Sequence, residues 1–86
     1  MKFNSTPTRI YSINTDGKLV AEIRFSTVDS HLYCITHTFV DSSLRGQGIA
    51  EQLVLAAVEK IHSYGGSITA SCSYAQKWLA EHPDLL

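Results

Sequence analysis

The first half of the chain carries the alternating apolar and polar positions of β-strands. From Lys18 to Ser26 the apolar residues fall on every second position, which is the pattern of a strand with one buried face. The β-prone run Thr8 to Ile13 precedes it, and Asn14 to Gly17 between them ends in a glycine suited to a hairpin turn. These runs predict an antiparallel pair. A third strand is predicted over Leu32 to Val40, where apolar groups on both sides indicate a strand covered on both faces.

The second half of the chain changes to a helical period. Apolar residues from Gly48 to Tyr64 recur three and four positions apart, and a pair of glycines directly afterwards favours a helix end. Ser67 to Ala70 is a short β-prone run. Ser73 and Gln76 have the spacing of a capping box that opens a second helix, which Pro83 stops. The predicted fold is α+β, with antiparallel strands followed by a β-α-β-α unit on one mixed sheet.

Composition limits the classes of protein to which the chain can belong. Its 86 residues are 44% hydrophobic, enough for one core and too few for two, so residues 1–86 are expected to form a single domain. Seven lysines and arginines against eight acidic residues give a net charge of -1. A chain without a basic excess has no electrostatic footprint for general nucleic-acid binding, so no nucleic-acid partner is expected.

The sequence also argues against a membrane segment and a metal site. Its longest apolar run, Leu53 to Val58, is far shorter than a bilayer span, so no membrane contact and a cytoplasmic location are predicted. His31, Cys34 and His37 lie close together in the sequence. Strand alternation is expected to place Cys34 on the face opposite His37 and to keep the two histidines far apart, so no metal site is predicted.

A glycine-rich segment from Val40 to Ala50 joins the third strand to the first helix. A helix start leaves its first backbone N–H groups without partners, and a neighbouring Ser, Thr, Asp or Asn usually satisfies them. No such residue is next to Gly48, so these amides are expected to bind an anion such as phosphate. Charge-assisted hydrogen bonds contribute about 1.5–3 kcal/mol each, so three amides would supply most of the roughly 8 kcal/mol of micromolar binding.

The same loop resembles the signature of the GNAT acetyltransferase superfamily. It lacks the lysine end of a P-loop and the third glycine of a dinucleotide loop. Arg45, Gly48 and Ala50 instead match the Arg/Gln-x-x-Gly-x-Gly/Ala pattern of GNAT enzymes. The chain is further similar to small GNAT-like N-acetyltransferase-domain proteins at His37-Thr38, Cys72 and His82-Pro83. The resemblance covers most of the chain from Gly17 onward and implies a GNAT-like fold.

The resemblance implies a cosubstrate and the residues that hold it. Coenzyme A and its acetyl thioester are expected, with a small-molecule or peptide amine as the other partner and a monomer or weak dimer as the oligomeric state. The pantetheine arm is expected along the backbone near Phe39 and Val40, and the pyrophosphate on the loop amides. The implied cofactor-binding residues are Phe39, Val40, Arg45, Gly46, Gln47, Gly48, Ile49 and Ala50.

Two residues are candidates for the chemistry of acetyl transfer. A lysine-like amine is neutral only about once in 2,500 at pH 7, so it needs a base or a desolvating pocket. His37 lies on the strand expected to line the cleft and is a candidate base, the alternative being a structural histidine. Cys72 precedes the expected N-cap Ser73, and the helix start and Lys77 favour its thiolate. The alternative for Cys72 is a small buried hydrophobe.

Three functions are compatible with these residues. The leading hypothesis is an acetyl-CoA-dependent N-acetyltransferase acting on an unidentified amine. The usual tyrosine acid of larger relatives is not evident, because Leu79 lies near its expected position and Tyr74 comes too early. The alternatives are a CoA-binding module without turnover and an acyl carrier or thioesterase in which Cys72 is acylated first.

Overall fold

A five-stranded sheet carries two helices in the computed structural model, which describes residues 2–85. The strands are β1 (Asn4–Thr6), β2 (Arg9–Ile13), β3 (Leu19–Thr27), β4 (Leu32–Val40) and β5 (Ser67–Ala70). The helices are α1 (Ile49–Ser63) and α2 (Ser73–Ala80), and short 3-10 turns cover Ser42–Leu44 and Pro83–Leu85. The predicted α+β fold is confirmed. The short strand β1 was not predicted, because its three residues are all polar and exposed.

The strands lie in chain order across the sheet, and only the last pair is parallel. Neighbours from β1 to β4 pair antiparallel, whereas β4 and β5 run parallel and are joined through α1. A parallel pair needs such a crossover connection. Within residues 2–85, neither helix has the length and hydropathy that a bilayer span requires.

The core lies between one face of the sheet and the two helices. The predicted stripe of α1 is buried, and it consists of Ile49, Leu53, Val54, Ala57, Val58 and Ile61. It packs with the inward positions of β3, which are Ala21, Ile23 and Phe25, and with Ala75, Trp78 and Leu79 of α2. The alternation predicted for residues 18–26, which form most of β3, is therefore confirmed at its apolar positions.

The second face of the sheet is open, which corrects the prediction that β4 is covered on both sides. His37 and Phe39 of β4 are exposed on this face, and only Ile35 of the strand is fully buried. The apolar residue Phe39 had suggested a second covering layer. Both helices contribute their buried side chains to one core cluster, so among residues 2–85 no helix is left to cover the other face.

A bulge in β4 changes which residues share this open face. Arg24 pairs with His37, whereas its neighbour Phe25 pairs with Ile35, so Thr36 is an extra residue in β4. An extra residue reverses the alternation on one side of the bulge. Cys34 therefore lies on the same face as His37, and the predicted separation of these two residues onto opposite faces is wrong. No cluster of three metal-ligating groups occurs within residues 2–85.

The two parallel strands separate after a short stretch of pairing. β5 pairs with β4 only from Leu32 to Ile35, and from there to Val40 β4 is paired with β3 alone. The amides of Ser71 and Cys72 both donate to the carbonyl oxygen of Ile35, at 3.0 and 3.2 Å. The chain leaves the sheet at this point, so the rest of β4 has a free edge beside a gap.

Candidate cofactor site

The loop between β4 and α1 takes a conformation that glycine adopts most readily. Gly46 and Gly48 have φ angles of 80° and 71°, in the left-handed region where a side chain is strained. Before them, the carboxylate of Asp41 accepts hydrogen bonds from the amide and hydroxyl of Ser43, at 3.1 and 2.6 Å. These contacts hold the turn Ser42–Leu44 at the end of the strand and direct the loop toward the helix.

The start of α1 has no side-chain cap. Gly48 is its N-cap residue and accepts a hydrogen bond from the Gln52 amide at 3.1 Å, but glycine has no side chain that could accept from the first turn. The N–H groups of residues 49–51 precede the first helical hydrogen bond and point out of the helix end. The predicted helix start and the predicted absence of a side-chain cap are both confirmed, and anion binding by these N–H groups stays a prediction.

A cleft of about 320 Å³ lies beside this helix end. Its lining residues come from the free end of β4, the loop, the first turn of α1 and the start of α2: Thr38, Val40, Leu44, Arg45, Gly46, Gly48, Ile49, Ala50, Glu51 and Tyr74. Most of the residues predicted to bind the cofactor thus lie together in one cleft.

Two of the predicted cofactor residues do not line the cleft with the others. The Phe39 side chain lies on the open face, as its pairing with Glu22 requires, so only its backbone can border the free edge. Gln47 is exposed at the outside of the loop. Contacts between the cofactor and the backbone of Phe39 and Gln47 remain predictions.

Four lining residues were missed in the sequence analysis, namely Thr38, Leu44, Glu51 and Tyr74. The indole Nε1 of Trp78 donates to Glu51 at 3.4 Å, which ties α2 to the first turn of α1. This contact brings Tyr74, one turn earlier on α2, over the cleft. Burial raises the pKa of Tyr74, and the charges of Glu51 and Glu81 raise it further, so its hydroxyl stays protonated at neutral pH.

The start of α2 differs from the predicted capping box. Cys72 is the N-cap residue and Ser73 is the first helical residue, and the Gln76 amide group donates to the carbonyl of Ala70 at 3.0 Å. The predicted reciprocal Ser73–Gln76 arrangement is therefore wrong. The physical reason is the hydrogen bond from the Cys72 amide to Ile35, which holds Cys72 extended at the end of the strand.

Cys72 follows β5 at the gap between β4 and β5; it does not itself line the cleft but contacts a residue that does. Its half-buried thiol is 3.6 Å from the hydroxyl of Thr38, a residue of the cleft wall. Burial raises the pKa of Cys72, but the N–H groups of Ala75 and Tyr74 and the Thr38 hydroxyl outweigh it, so the pKa is lowered overall. The expected influence of the helix start is present, whereas Lys77 is not among the groups that shift this pKa.

His37 lies on the opposite face of β4 from Thr38. Its side chain is half exposed, and its Nε2 atom is 3.5 Å from a carboxylate oxygen of Glu22. Burial raises the pKa of Glu22, but hydrogen bonds and charge from Arg9 and Arg24 lower it overall, so this carboxylate is ionised at neutral pH. The two catalytic candidates, His37 and Cys72, thus lie on different sides of the same strand.

Comparison with known families identifies the kind of protein. The sequence model described as GCN5-related N-acetyl-transferase matches residues 10–86. The chain therefore belongs to the GCN5-related N-acetyltransferase family, the GNAT superfamily that its loop signature had indicated.

Solved structures share the fold. The NMR structure of a Staphylococcus aureus protein described as a GCN5-like N-acetyltransferase is 30% identical with a TM-score of 0.80, over 98% of this chain and 82% of that chain. The N-acetyltransferase YhbS from Escherichia coli, in complex with CoA, is 23% identical with a TM-score of 0.68, over 88% and 48%.

An aminoglycoside 6'-N-acetyltransferase complexed with coenzyme A is 22% identical with a TM-score of 0.62, over 72% of this chain and 35% of that chain. The chain thus spans less than half of these two larger enzymes. None of the curated proteins compared with the chain matches it.

The contact between Thr38 and Cys72 makes a prediction about thiol reactivity. Thr38→Val removes a hydroxyl that stabilises the thiolate, so the pKa of Cys72 is expected to rise and its alkylation at pH 7 to slow. The rate of iodoacetamide labelling is measured against pH by peptide mass spectrometry. Thr36→Val, at the bulge of the same strand, is the matched control. An unchanged labelling profile in Thr38→Val would contradict the assigned role of this hydroxyl.

Proposed function

We propose that residues 1–86 act as a single domain that binds coenzyme A and its acetyl thioester in the cleft and transfers the acetyl group to an amine. The observation that carries this proposal is the uncapped helix start behind two left-handed glycines, at the position of the GNAT signature. Support also comes from the fold shared with YhbS and with the aminoglycoside enzyme, both of which were solved with coenzyme A. A cytoplasmic location and a monomeric or weakly dimeric state belong to the same proposal.

The cleft offers separate surfaces for the parts of the cofactor. The pyrophosphate would accept hydrogen bonds from the amides of residues 46–50, with the exposed guanidinium of Arg45 beside it. The pantetheine arm would lie along β4 beyond Ile35, where unpaired backbone groups can bond it as they would bond an added strand. Val40 and Leu44 would pack against the arm. This placement brings the thioester to the gap beside Cys72 and Thr38.

The acceptor amine would approach from the open face of the sheet. In direct transfer the neutral amine nitrogen attacks the thioester carbonyl carbon, the carbon–sulfur bond breaks, and the coenzyme A thiolate leaves with the electron pair and takes up the proton that the attacking nitrogen loses. The ammonium proton has to be removed for this attack. His37 lies on the open face and is the group we propose to accept that proton.

Coenzyme A binding is expected to depend on Arg45. Arg45→Gln removes one charge-assisted contact at the phosphates, so its Kd for coenzyme A in calorimetry is expected to rise about 10-fold. Lys60→Gln removes the same charge near the other end of α1 and is expected to bind normally. The absence of a calorimetric signal at millimolar coenzyme A, or equal Kd values for Arg45→Gln and Lys60→Gln, would contradict the assignment of the cleft as the cofactor site. Binding of coenzyme A without acetylation of any amine in a test panel would favour the alternative of a CoA-binding module that catalyses no transfer.

A second candidate route uses Cys72 as a nucleophile. It is favoured by the position of the thiol at the gap, 3.6 Å from Thr38, and by its lowered pKa. The Cys72 thiolate would attack the thioester carbonyl carbon and release coenzyme A thiolate, giving an acetylated cysteine. An amine, or water in a thioesterase, would then attack that carbonyl and release the Cys72 thiolate.

Acetylation of Cys72 is therefore expected when the protein is incubated with acetyl-CoA. Peptide mass spectrometry should find acetyl on Cys72 in preference to Cys34, which lies on the open face away from the cleft. Cys72→Ala is expected to keep coenzyme A binding and lose acyl transfer. An unmodified Cys72, with Cys72→Ala fully active on an identified amine, would leave direct transfer as the mechanism.

A further inference from the structure

Three basic residues lie side by side on the open face of the sheet. Arg9 of β2 pairs directly with Arg24 of β3, and Arg24 pairs directly with His37 of β4. Adjacent strands are only about 4.8 Å apart, and like charges placed opposite each other destabilise a sheet. In this row of Arg9, Arg24 and His37, the directly paired arginines therefore need an opposite charge close by.

One buried carboxylate holds the row in place. Glu22 is only 3% exposed although it lies on the open face. One of its oxygens accepts from Nε of Arg9 and lies 3.2 Å from Nε of Arg24, and the other lies 3.5 Å from His37. The guanidinium of Arg9 is also stacked on Tyr11, with 3.9 Å from Cζ to the ring centroid. Arg9 is thus held by two contacts before any ligand arrives, and Arg24 by its ion pair with Glu22.

The row retains donors and charge that Glu22 does not satisfy. A guanidinium has five N–H donors, so two arginines offer about ten, whereas one carboxylate accepts at about four sites. The side chains of Arg9 and Arg24 are 31% and 59% exposed, so the remaining donors can reach solvent. Two guanidinium charges against one carboxylate charge leave the group positive.

Only the strand β4 separates the row from the cleft. His37 directly precedes Thr38, whose side chain lines the cleft on the other face of β4. Because β5 no longer pairs with β4 beyond Ile35, the edge of β4 away from β3 is free and connects the open face with the gap at Cys72. The distance from β3 over this edge is one to two strand spacings, about 5–10 Å.

We propose that Arg9 and Arg24 bind the anionic group of the acceptor, so that the substrate is a small amine carrying a carboxylate or phosphate group. This inference rests on the proposed acetyl transfer. Guanidinium groups suit both anions, because their planar arrays of donors match carboxylate and phosphate oxygens. The anionic group would stay at the row while the amine, about 5–10 Å away, reaches over the free edge of β4 to the thioester.

Binding is tested first, without any need for turnover. The Nε–Hε signals of Arg9 and Arg24 are followed by NMR while the ¹⁵N-labelled protein is titrated with 6-aminohexanoate, 3-aminopropyl phosphate or hexylamine. The two anionic amines are expected to shift both signals, and hexylamine is not. The larger shift distinguishes a carboxylate site from a phosphate site. Equal responses to all three probes, or none, would overturn the proposal.

Turnover is tested with the same probes and acetyl-CoA. Arg24→Gln is expected to raise KM for the preferred anionic amine about 10-fold with little change in kcat, and to leave KM for hexylamine unchanged. Arg24 is exposed and Glu22 keeps Arg9 as a partner, so the variant should fold, which circular dichroism verifies. Lys60→Gln is the control for the same loss of charge.

The outcomes of the two tests separate this inference from the proposed function. Arginine shifts with the anionic amines, but no acetylation of any probe, would support the anion site and count against acetyl transfer to these amines. Acetylation of hexylamine and 6-aminohexanoate with equal KM values in both Arg24→Gln and the unaltered protein would support transfer and overturn the anion site.

Discussion

The hydrogen bonds to the carbonyl oxygen of Ile35 determine the shape of the site. By accepting from both Ser71 and Cys72, this carbonyl ends the pairing of β4 with β5 while β4 runs on to Val40. The same contact leaves β4 with a free edge, opens the gap and holds Cys72 extended at the start of α2. A cleft beside a strand with unsatisfied backbone groups can take an extended ligand.

Local residue chemistry explains why the loop and α1 could be predicted from the sequence. The stripe of α1 repeats at the helical period and is buried as a unit, and Gly46 and Gly48 occupy backbone positions that disfavour other residues. The absence of a capping side chain beside Gly48 was visible in the sequence as well. These features depend on neighbours a few residues away, so tertiary structure does not alter them.

Features set by pairing between distant residues were not predictable in this way. The bulge at Thr36 follows from the register of β3 against β4, and it reverses the alternation that had separated Cys34 from His37. The start of α2 is set by hydrogen bonds to Ile35, which is far away in the sequence. For this reason the predicted capping box of Ser73 and Gln76 does not form. Glu22 occupies one of the polar positions of the alternating run Lys18 to Ser26, yet contacts from three strands bury it.

The central claim is that coenzyme A occupies the cleft, and amide NMR titration tests it most directly. Addition of coenzyme A to ¹⁵N-labelled protein is expected to cause its largest shifts at residues 46–51 and along the free part of β4, residues 36–40. Small shifts are expected in the separate depression lined by Ile10, Ala56 and Ser63, which lies between the sheet and the far part of α1. Shifts centred on that depression, or no shifts at millimolar coenzyme A, would contradict the account.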